Sequence, residues 1–468
     1  MKSAVAALAT QAAAKIQIAI LRPDIAGLLR SSKLEVVGIH SRRRLLQWLL
    51  GSACLGQATR VRGAVPRKPS LPAVLSPEED AFLDELEKAN HLYFWEQAHP
   101  STGLIKDRCN TRANDTSVVA SIAGTGFGLT SLCIAQQRGW VSMADARERA
   151  LTVLRFLWKK MPTHRGFFFH WANVVTGERM WDAEVSSVDT AMLLCGVLTC
   201  RAHLGHYEIS RLASDIFNRV DWSWLSEDTT LLPHGWTPEF GFLPYRWDLY
   251  SEQMMIYLLG LGSQSHPLPP QAWNAWRRTI FEYDGLRYIG SFAPLFVHQY
   301  SQAWFDFRGK RDRYADYFKN SAIATEAHRR FCLELAKKFP DYSDDLWGIT
   351  ASDSPHGYVV WGGPPEIGPI DGTVVPSAAA GSLTFLPEAA LRVLKYMRKR
   401  YDPRAWSRYG FVNAFNPLTN WVDTDVIAID TGITMLMAEN LRSAFVWNTF
   451  MKNPEAQRGM QRAGFMSY

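Results

Sequence analysis

The stretch HGWTPEFGFLPYRWDLYSEQ, residues 234–253, sets the carboxylates Glu239, Asp248 and Glu252 among flat aromatic rings and hydrogen-bond donors. Trp236, Tyr245, Trp247 and Tyr250 offer apolar faces on which a pyranose could stack, and His234 and Arg246 offer donors to its hydroxyls. Gly235, Pro238, Gly241 and Pro244 prevent a regular helix until about Asp248, so these groups would be presented at a helix entrance. Glu252 leads the candidates for proton transfer. The competing reading is that it merely begins a helix, where the macrodipole favours an acid.

Four further segments place polar groups beside tryptophan. WDAEVSSVDT brings Asp182, Glu184 and Asp189 to the entry of an apolar helix, with helix capping as the plainer alternative. FAPLFVHQYSQAWFDFRGKRD offers His298, Trp304 and Asp306, although Asp306 and Arg308 could equally form a structural ion pair. WGITASDSPHGYVVWGGPP reads as a long loop carrying Trp347, Asp353 and Trp361, and such loops in compact domains are usually functional. In NWVDTDVIAIDTGITMLMAENLR, Asp430 stands between apolar VIAI and Thr431-Gly432-Ile433, where an unpaired carboxylate would be costly. Cleavage of a glycosidic bond needs one carboxyl group to protonate the leaving oxygen and another to activate water or attack the anomeric carbon. The chain holds candidates for both roles. Loop tryptophans such as Trp171, Trp181, Trp236 and Trp421 would supply stacking faces, with ordinary core packing as the competing role for each.

The elements that must position these groups are mainly helices. Ser76-Pro77-Glu78-Glu79 has the cap, N1 proline and acidic first turn of a helix running to about Trp95. SVVASIAGTGFGLTSLCIAQQRGW reads as a glycine-rich, tightly packed helix, and MADARERALTVLRFLWKK as an amphipathic one. Further helices are expected over roughly 185–203, 210–220, 248–261, 270–281, 298–305, 312–338, 387–399 and 425–448, while 161–186 reads as an extended excursion. About eleven helices with long Gly-, Pro- and Trp-rich connections define an all-α class. They suit a toroid of helical hairpins with long loops forming a cleft at one rim.

Composition narrows the function. Residues 1–70 hold 12 of the 51 Lys and Arg and 2 of the 45 Asp and Glu, which leaves 39 basic against 43 acidic residues beyond them. A nucleic-acid partner is therefore not expected. Ser41-Arg42-Arg43-Arg44-Leu45-Leu46 before LLQWLLGSACLG resembles a twin-arginine export signal, and the apolar run is too short to span a membrane. Residues 1–75 are read as leader and linker and 76–468 as one domain. The product is expected to be periplasmic or extracellular and monomeric, without a transmembrane segment. A lipobox-like GSAC ending at Cys54 is the alternative anchor. Cysteines at 109, 133, 195, 200 and 332 remain after the leader, an odd number without zinc-site spacing. Neither metal nor cofactor is expected, since GxSxG, P-loop, HExxH and dinucleotide motifs are absent from the sequence.

Taken together, SIAGTGFGLTSL, RGFFFHW, EVSSVDTAMLL, HGWTPEFGFLPYRWDLYSEQMMIYLLGLGS, LFVHQYSQAWFDFRG, WGITASDSPHGY, DGTVVPSAAAGSLTF, YGFVNAFN and AIDTGITMLMAENLRS resemble the bacterial glycoamylase-like family. That family is related to the endo-β-1,2-glucanases and to the hydrolase-like region of cyclic β-1,2-glucan synthases. The resemblance implies an (α/α)6 barrel that hydrolyses a β-glucan, β-1,2-linked, with Glu252 as general acid and Asp430 as base through water. It places Asp182, Glu184 and Asp189 in the substrate subsites. Thr431 departs from the glutamine that often follows the late aspartate in the family, which bears on how water is held and on the balance of hydrolysis and transfer. Inversion is the expected outcome, with carboxyl groups about 6.5–9.5 Å apart or joined through water. The alternatives are an inactive glycan-binding protein, a transglycosylase on the same scaffold, and a polyuronate lyase, which would require Tyr or His bases with Lys or Arg.

Overall fold

In the computed structural model, which describes residues 75–227, 229–292 and 294–468, polar side chains at the sequence-expected positions start the helices. Ser76 Oγ accepts from the Glu79 N–H and the Glu79 carboxylate accepts from the Ser76 N–H, and Pro77 follows at the first position of α1, Pro77–Glu96. Serine caps also open α2 (Ile122–Gln137), α3 (Met143–Lys159) and α4 (Ser187–His203), through Ser121, Ser142 and Ser186. The remaining principal helices are α5 (Tyr207–Asn218), α6 (Met254–Gly262), α7 (Tyr300–Trp304), α8 (Tyr317–Leu335), α9 (Pro376–Ala380), α10 (Pro387–Tyr401), α11 (Ala428–Ser443) and α12 (Pro454–Arg462).

Two kinds of helix follow one another along the chain, alternating except at α6 and α7. α2, α4, α6, α7, α9 and α11 are buried over most or all of their residues, as their apolar and small side chains on every face require. α1, α3, α5, α8, α10 and α12 bury one face and expose a charged one. Buried helices lie against one another: α2 on α4, α4 on α6, α7 and α9 on α11, and α11 back on α2. Ser301 of α7 accepts from the Met255 N–H of α6, and Gln299 donates to the Ala378 carbonyl of α9. The solvated helices back them, α1 on α11 and α2, α3 on α2, α5 on α4, α12 on α6 and α10 on α9.

The α2–α4 contact explains the glycines of the second helix. A Cβ on Gly126 would lie 2.3 Å from the Met192 carbonyl oxygen, and one on Gly196 would lie 2.1 Å from the Gly126 carbonyl oxygen. The two backbones touch, which no larger residue allows.

Short antiparallel strand pairs of two to four residues cap the helix ends and tie distant loops together. Arg108–Asn110 pairs with Asp425–Ile427, which runs directly into α11. Val185–Ser186 pairs with Gly235–Thr237, which pairs in turn with Gly241–Phe242. Two expected helices are shorter than their sequence pattern. Residues 248–253 remain non-helical because neighbouring chain captures them: Arg277 N–H donates to the Asp248 carbonyl, and Trp247 N–H donates to that of Leu232. Of 270–281 only Ala272–Ala275 is helical, and Ile280–Tyr283 and Leu286–Ile289 form a hairpin. Its turn residues Asp284 and Gly285 both have positive φ, the geometry that an Asp-Gly pair between alternating apolar residues favours. The expected helix over 425–448 divides at Ala444, where the chain adopts a left-handed φ of 56°. α9 and α12 have no counterpart among the expected helices.

The twin-arginine-like segment and Cys54 lie outside the described residues. Among the described residues no helix is long and apolar enough to cross a membrane, and the five cysteines are free and buried.

Candidate active site

Glu252 sits in the turn just before α6, not within a helix, so capping does not account for it. The Ser251 hydroxyl donates to its carboxylate, and the Ser301 hydroxyl donates to its backbone carbonyl at 2.6 Å. Burial raises its pKa, the Ser251 hydrogen bond opposes this, and the charge of Asp189 adds to the rise.

Asp189 lies in the first turn of α4, where Ser186 both caps the Asp189 N–H and donates to its Oδ2. Beside it, His170 Nδ1 is 3.0 Å from Glu184 Oε1 and Nε2 is 3.6 Å from Asp189 Oδ1. Burial acts to lower the His170 pKa, but the Asp189 and Glu184 charges outweigh it and hold the imidazole up at about 9. His170 is therefore a cation between two carboxylates at neutral pH. The same three groups bring one ligand atom each within 4.8 Å of one another, so a divalent ion could bridge them. It would first have to displace the proton that the two acids stabilise.

Asp430, in the first turn of α11, accepts from Ser377 Oγ at 2.9 Å and from Asn413 Nδ2 at 2.6 Å. Burial pushes its carboxyl up to about 7 against the pull of these two donors. Asn413 also accepts from the Asp353 N–H at 2.7 Å, which couples the Asp353 loop to Asp430. Asp353 in turn accepts from Arg108 Nη1 at 2.6 Å. Arg108 is a hub: Asp107 lies 3.3 Å and Asp425 3.6 Å from its guanidinium, and together with Asp353 and Asp423 these acids outweigh burial and keep it charged. Asp423 carries the cost of the crowding. Burial, then the charges of Asp353 and Asp425, push it up to about 8, and its Oδ2 has no hydrogen-bond partner.

The two halves meet at Tyr300, the first residue of α7. Burial raises the Tyr300 hydroxyl well above its usual range, and the charges of Asp430, Glu252 and Asp189 all add to the effect. Glu252 and Asp430, far apart in sequence, thus bear on one side chain. The arrangement offers two burial-raised carboxyl groups, a half-buried cation on each side and several acceptors for hydroxyl groups. That set suits proton donation to a leaving oxygen and activation of water.

Several expected sugar contacts belong to the interior instead. Trp304 and Trp347 are 0% exposed, and Tyr250, Trp247, Trp361 and His298 are also buried. Trp304 Nε1 donates to Thr130, and Trp247 Nε1 to Ser187. Burial takes the His298 pKa down to about 3, so it is a neutral core histidine. An indole next to a loop glycine suggests an exposed face, but in this fold Trp247, Trp304, Trp347 and Trp361 are covered by neighbouring chain. Asp306 pairs with Arg308 and Lys310, which hold its pKa low, and Arg246 pairs with Glu227. Trp236 is half-buried with one face on His164, at 3.8 Å between ring centroids, and His234 stacks on Trp247. Asp182 is exposed on the loop leading to Glu184. Sequence spacing does not single out His170, Arg108, Asn413 or Ser377, whereas Tyr300 stands in the polar run FAPLFVHQYSQAWFDFRGKRD. All but Arg108 lie in segments that carry the family resemblance, but only the partner across the fold shows which side chain serves the site.

The family model described as "Putative glucoamylase" matches residues 244–454. A solved structure from Bacteroides uniformis described in the same words is 30% identical, with a TM-score of 0.79 over 84% of this chain and 98% of that one. The endo-β-1,2-glucanase of Chitinophaga pinensis, solved with sophorotriose and glucose, is 27% identical, with a TM-score of 0.79 over 84% of this chain and 99% of that one. An exo β-1,2-glucooligosaccharide sophorohydrolase (non-reducing end) of Parabacteroides distasonis is 26% identical over 423 residues. That alignment takes in 82% of this chain but spans only 58% of the relative's length.

Proposed function

Because the chain belongs to the glycoamylase-like family, we propose that it is a glycoside hydrolase acting on β-1,2-linked glucan, with Glu252 as general acid and Asp430 as base through water. The observation that carries this reading is the convergence of two burial-raised carboxyl groups on Tyr300, each with its own hydrogen-bonding support. The names of the Chitinophaga and Parabacteroides relatives supply the linkage. Among the described residues, six buried helices, five of them bordered by amphipathic ones, support an (α/α)6 barrel, in which 76–468 form one catalytic domain. Export to the periplasm or beyond, as a monomer, completes the reading.

Glu252, whose carboxyl is raised by burial and further by the charge of Asp189, donates its proton to the glycosidic oxygen as the bond to the anomeric carbon breaks. Asp430, ionised and oriented by Ser377 and Asn413, takes a proton from the attacking water. His170 neutralises Glu184 and Asp189 so that both can accept from sugar hydroxyls without raising Glu252 further. Inversion at the anomeric carbon follows from attack by water. Purified protein incubated with β-1,2-, β-1,3- and β-1,4-glucan should release oligosaccharides from the first alone, with inverted anomeric configuration by NMR. Glu252→Gln and Asp430→Asn should each lower kcat by at least about 10²-fold. Near-normal turnover in both variants would remove the assignment, and binding of glucan without product release would make the protein a lectin-like one.

A further inference from the structure

Nine tryptophans among the described residues are buried, yet Trp181 keeps 38% of its surface exposed. It also occupies a backbone position that disfavours it. Trp181 and Asp182 form the tip of a turn closed by the Ala183 N–H on the Met180 carbonyl, and Trp181 has a φ of +52°. Glycine adopts that left-handed conformation freely, whereas a bulky residue there is strained. The turn is held in place from outside. Arg179 donates through Nε to the Ala183 carbonyl at 2.6 Å, and its Nη atoms clasp both oxygens of Glu239 at 2.6 and 3.0 Å. This ties the turn to the 235–242 hairpin, whose Phe240 is 88% exposed.

The strained indole is continuous with the carboxylate cluster. Trp181 meets Trp171 edge-on at 5.5 Å between ring centroids, and Trp171 stacks on the His170 ring at 3.6 Å. His170 contacts Glu184 and Asp189, as described above. An apolar face at the rim, an exposed carboxylate beside it at Asp182 and an unbroken line of rings leading inward form the kind of surface a sugar chain follows.

We infer that Trp181 is a stacking platform for a pyranose unit remote from the scissile bond, extending the glucan tract outward past Glu184 and Asp189 and favouring longer chains. This rests on the reading of the site as a β-1,2-glucan hydrolase. Backbone strain is retained at the turn tip because only an aromatic residue there adds a subsite.

The test is a series of β-1,2-glucooligosaccharides of increasing length together with polymeric β-1,2-glucan, hydrolysed by wild type, Trp181→Ala, Trp181→Gly and Trp181→Tyr. Trp181→Ala is expected to raise KM for the polymer about tenfold more than for the shortest oligosaccharide cleaved, with kcat on the polymer within about twofold of wild type, and Trp181→Tyr is expected to recover most of the loss. Trp181→Gly is expected to lose long-chain preference to the same degree as Trp181→Ala while melting at a higher temperature than it, because glycine relieves the left-handed strain. An equal KM change at every length, or no change, overturns the inference while leaving the hydrolase reading intact. If wild type cleaves no member of the series, the hydrolase reading fails first. A polymer defect that Trp181→Tyr does not recover also counts against stacking.

Discussion

At Asp430 two donors hold a carboxylate that burial would rather protonate. The sign of its pH dependence follows. With its carboxyl pushed up to about 7, a large fraction of the free enzyme carries Asp430 in the protonated form at neutral pH, and that form cannot accept a proton from water. kcat/KM should therefore rise with pH through about 7 as Asp430 ionises. Asn413→Ala removes a hydrogen bond that favours the charged form, so the acidic limb should move to higher pH, together with a drop in kcat at pH 7. A pH–rate profile of that variant which overlays wild type would show that Asn413 does not act through Asp430. Asp423 offers a separate measurement. Its folded pKa of about 8 lies above the ordinary carboxylate value, so its contribution favours the folded state at low pH and is lost as pH rises towards and through 8. Asp423→Asn should consequently gain in Tm relative to wild type between pH 6 and pH 9, by denaturation followed at both values. Legibility at this scale was uneven. Asp430 stands out because an unpaired carboxylate inside VIAIDTGI is costly, even though capping of the last helix competes as its role, whereas Arg108 does not, since its four acidic neighbours come from three separate segments.

Helices whose chemistry is local were readable from the sequence, and those whose limits depend on partners were not. Ser76-Pro77-Glu78-Glu79 specifies its own helix start, and MADARERALTVLRFLWK shows its apolar stripe without help. Residues 248–253 have an equally helical pattern but are captured by chain from 232 and 277, so tertiary pairing overrode propensity. The Asp284-Gly285 turn carried a hairpin signal between Phe281-Glu282-Tyr283 and Leu286-Arg287-Tyr288 that outranked the helical pattern assigned to its flank. The same scale holds the glycine contact of α2 and α4. Gly196→Ala would force a methyl to within 2.1 Å of a backbone carbonyl that cannot move without its whole helix. The expected cost is about 2–4 kcal/mol in denaturant unfolding, somewhat beyond ordinary overpacking because no side chain can yield. Gly139→Ala is the control: nothing lies within 4 Å of the added Cβ, and only its positive φ is penalised.

For the molecule as a whole, the first helix and the last buried helix are joined by charge. Arg442 of α11 donates to Asp80 and Glu87 of α1, with Asp84 beside them, and Glu87 and Glu439 are both fully buried. Arg138 of α2 bonds Glu439 at 2.8 Å and completes the cluster. Arg442→Met should destabilise the protein by about 3–5 kcal/mol, because burial and Glu439 already raise the Glu87 carboxyl well above its usual range and Arg442 is the charge that opposes them. Pairing it with Glu87→Gln should return part of that loss, which a double-mutant cycle in urea would measure. Nothing in the sequence announces this cluster, since Glu87 looks like any acid on an amphipathic helix.

The α1–α11 clasp also orders events in time. Glu87 leaves the ribosome early and its partner Arg442 some 355 positions later, a separation among the longest the chain contains. Contacts between distant residues close late, after local ones have formed. Until α11 is made, one flank of α2 lacks its neighbour, and the face of Phe127 against which Gly432 packs is uncovered, although Tyr300 and Trp304 border the same ring. The period of greatest exposure to aggregation thus falls during synthesis of the last buried helix, and it ends when α11 docks on α1 and α2.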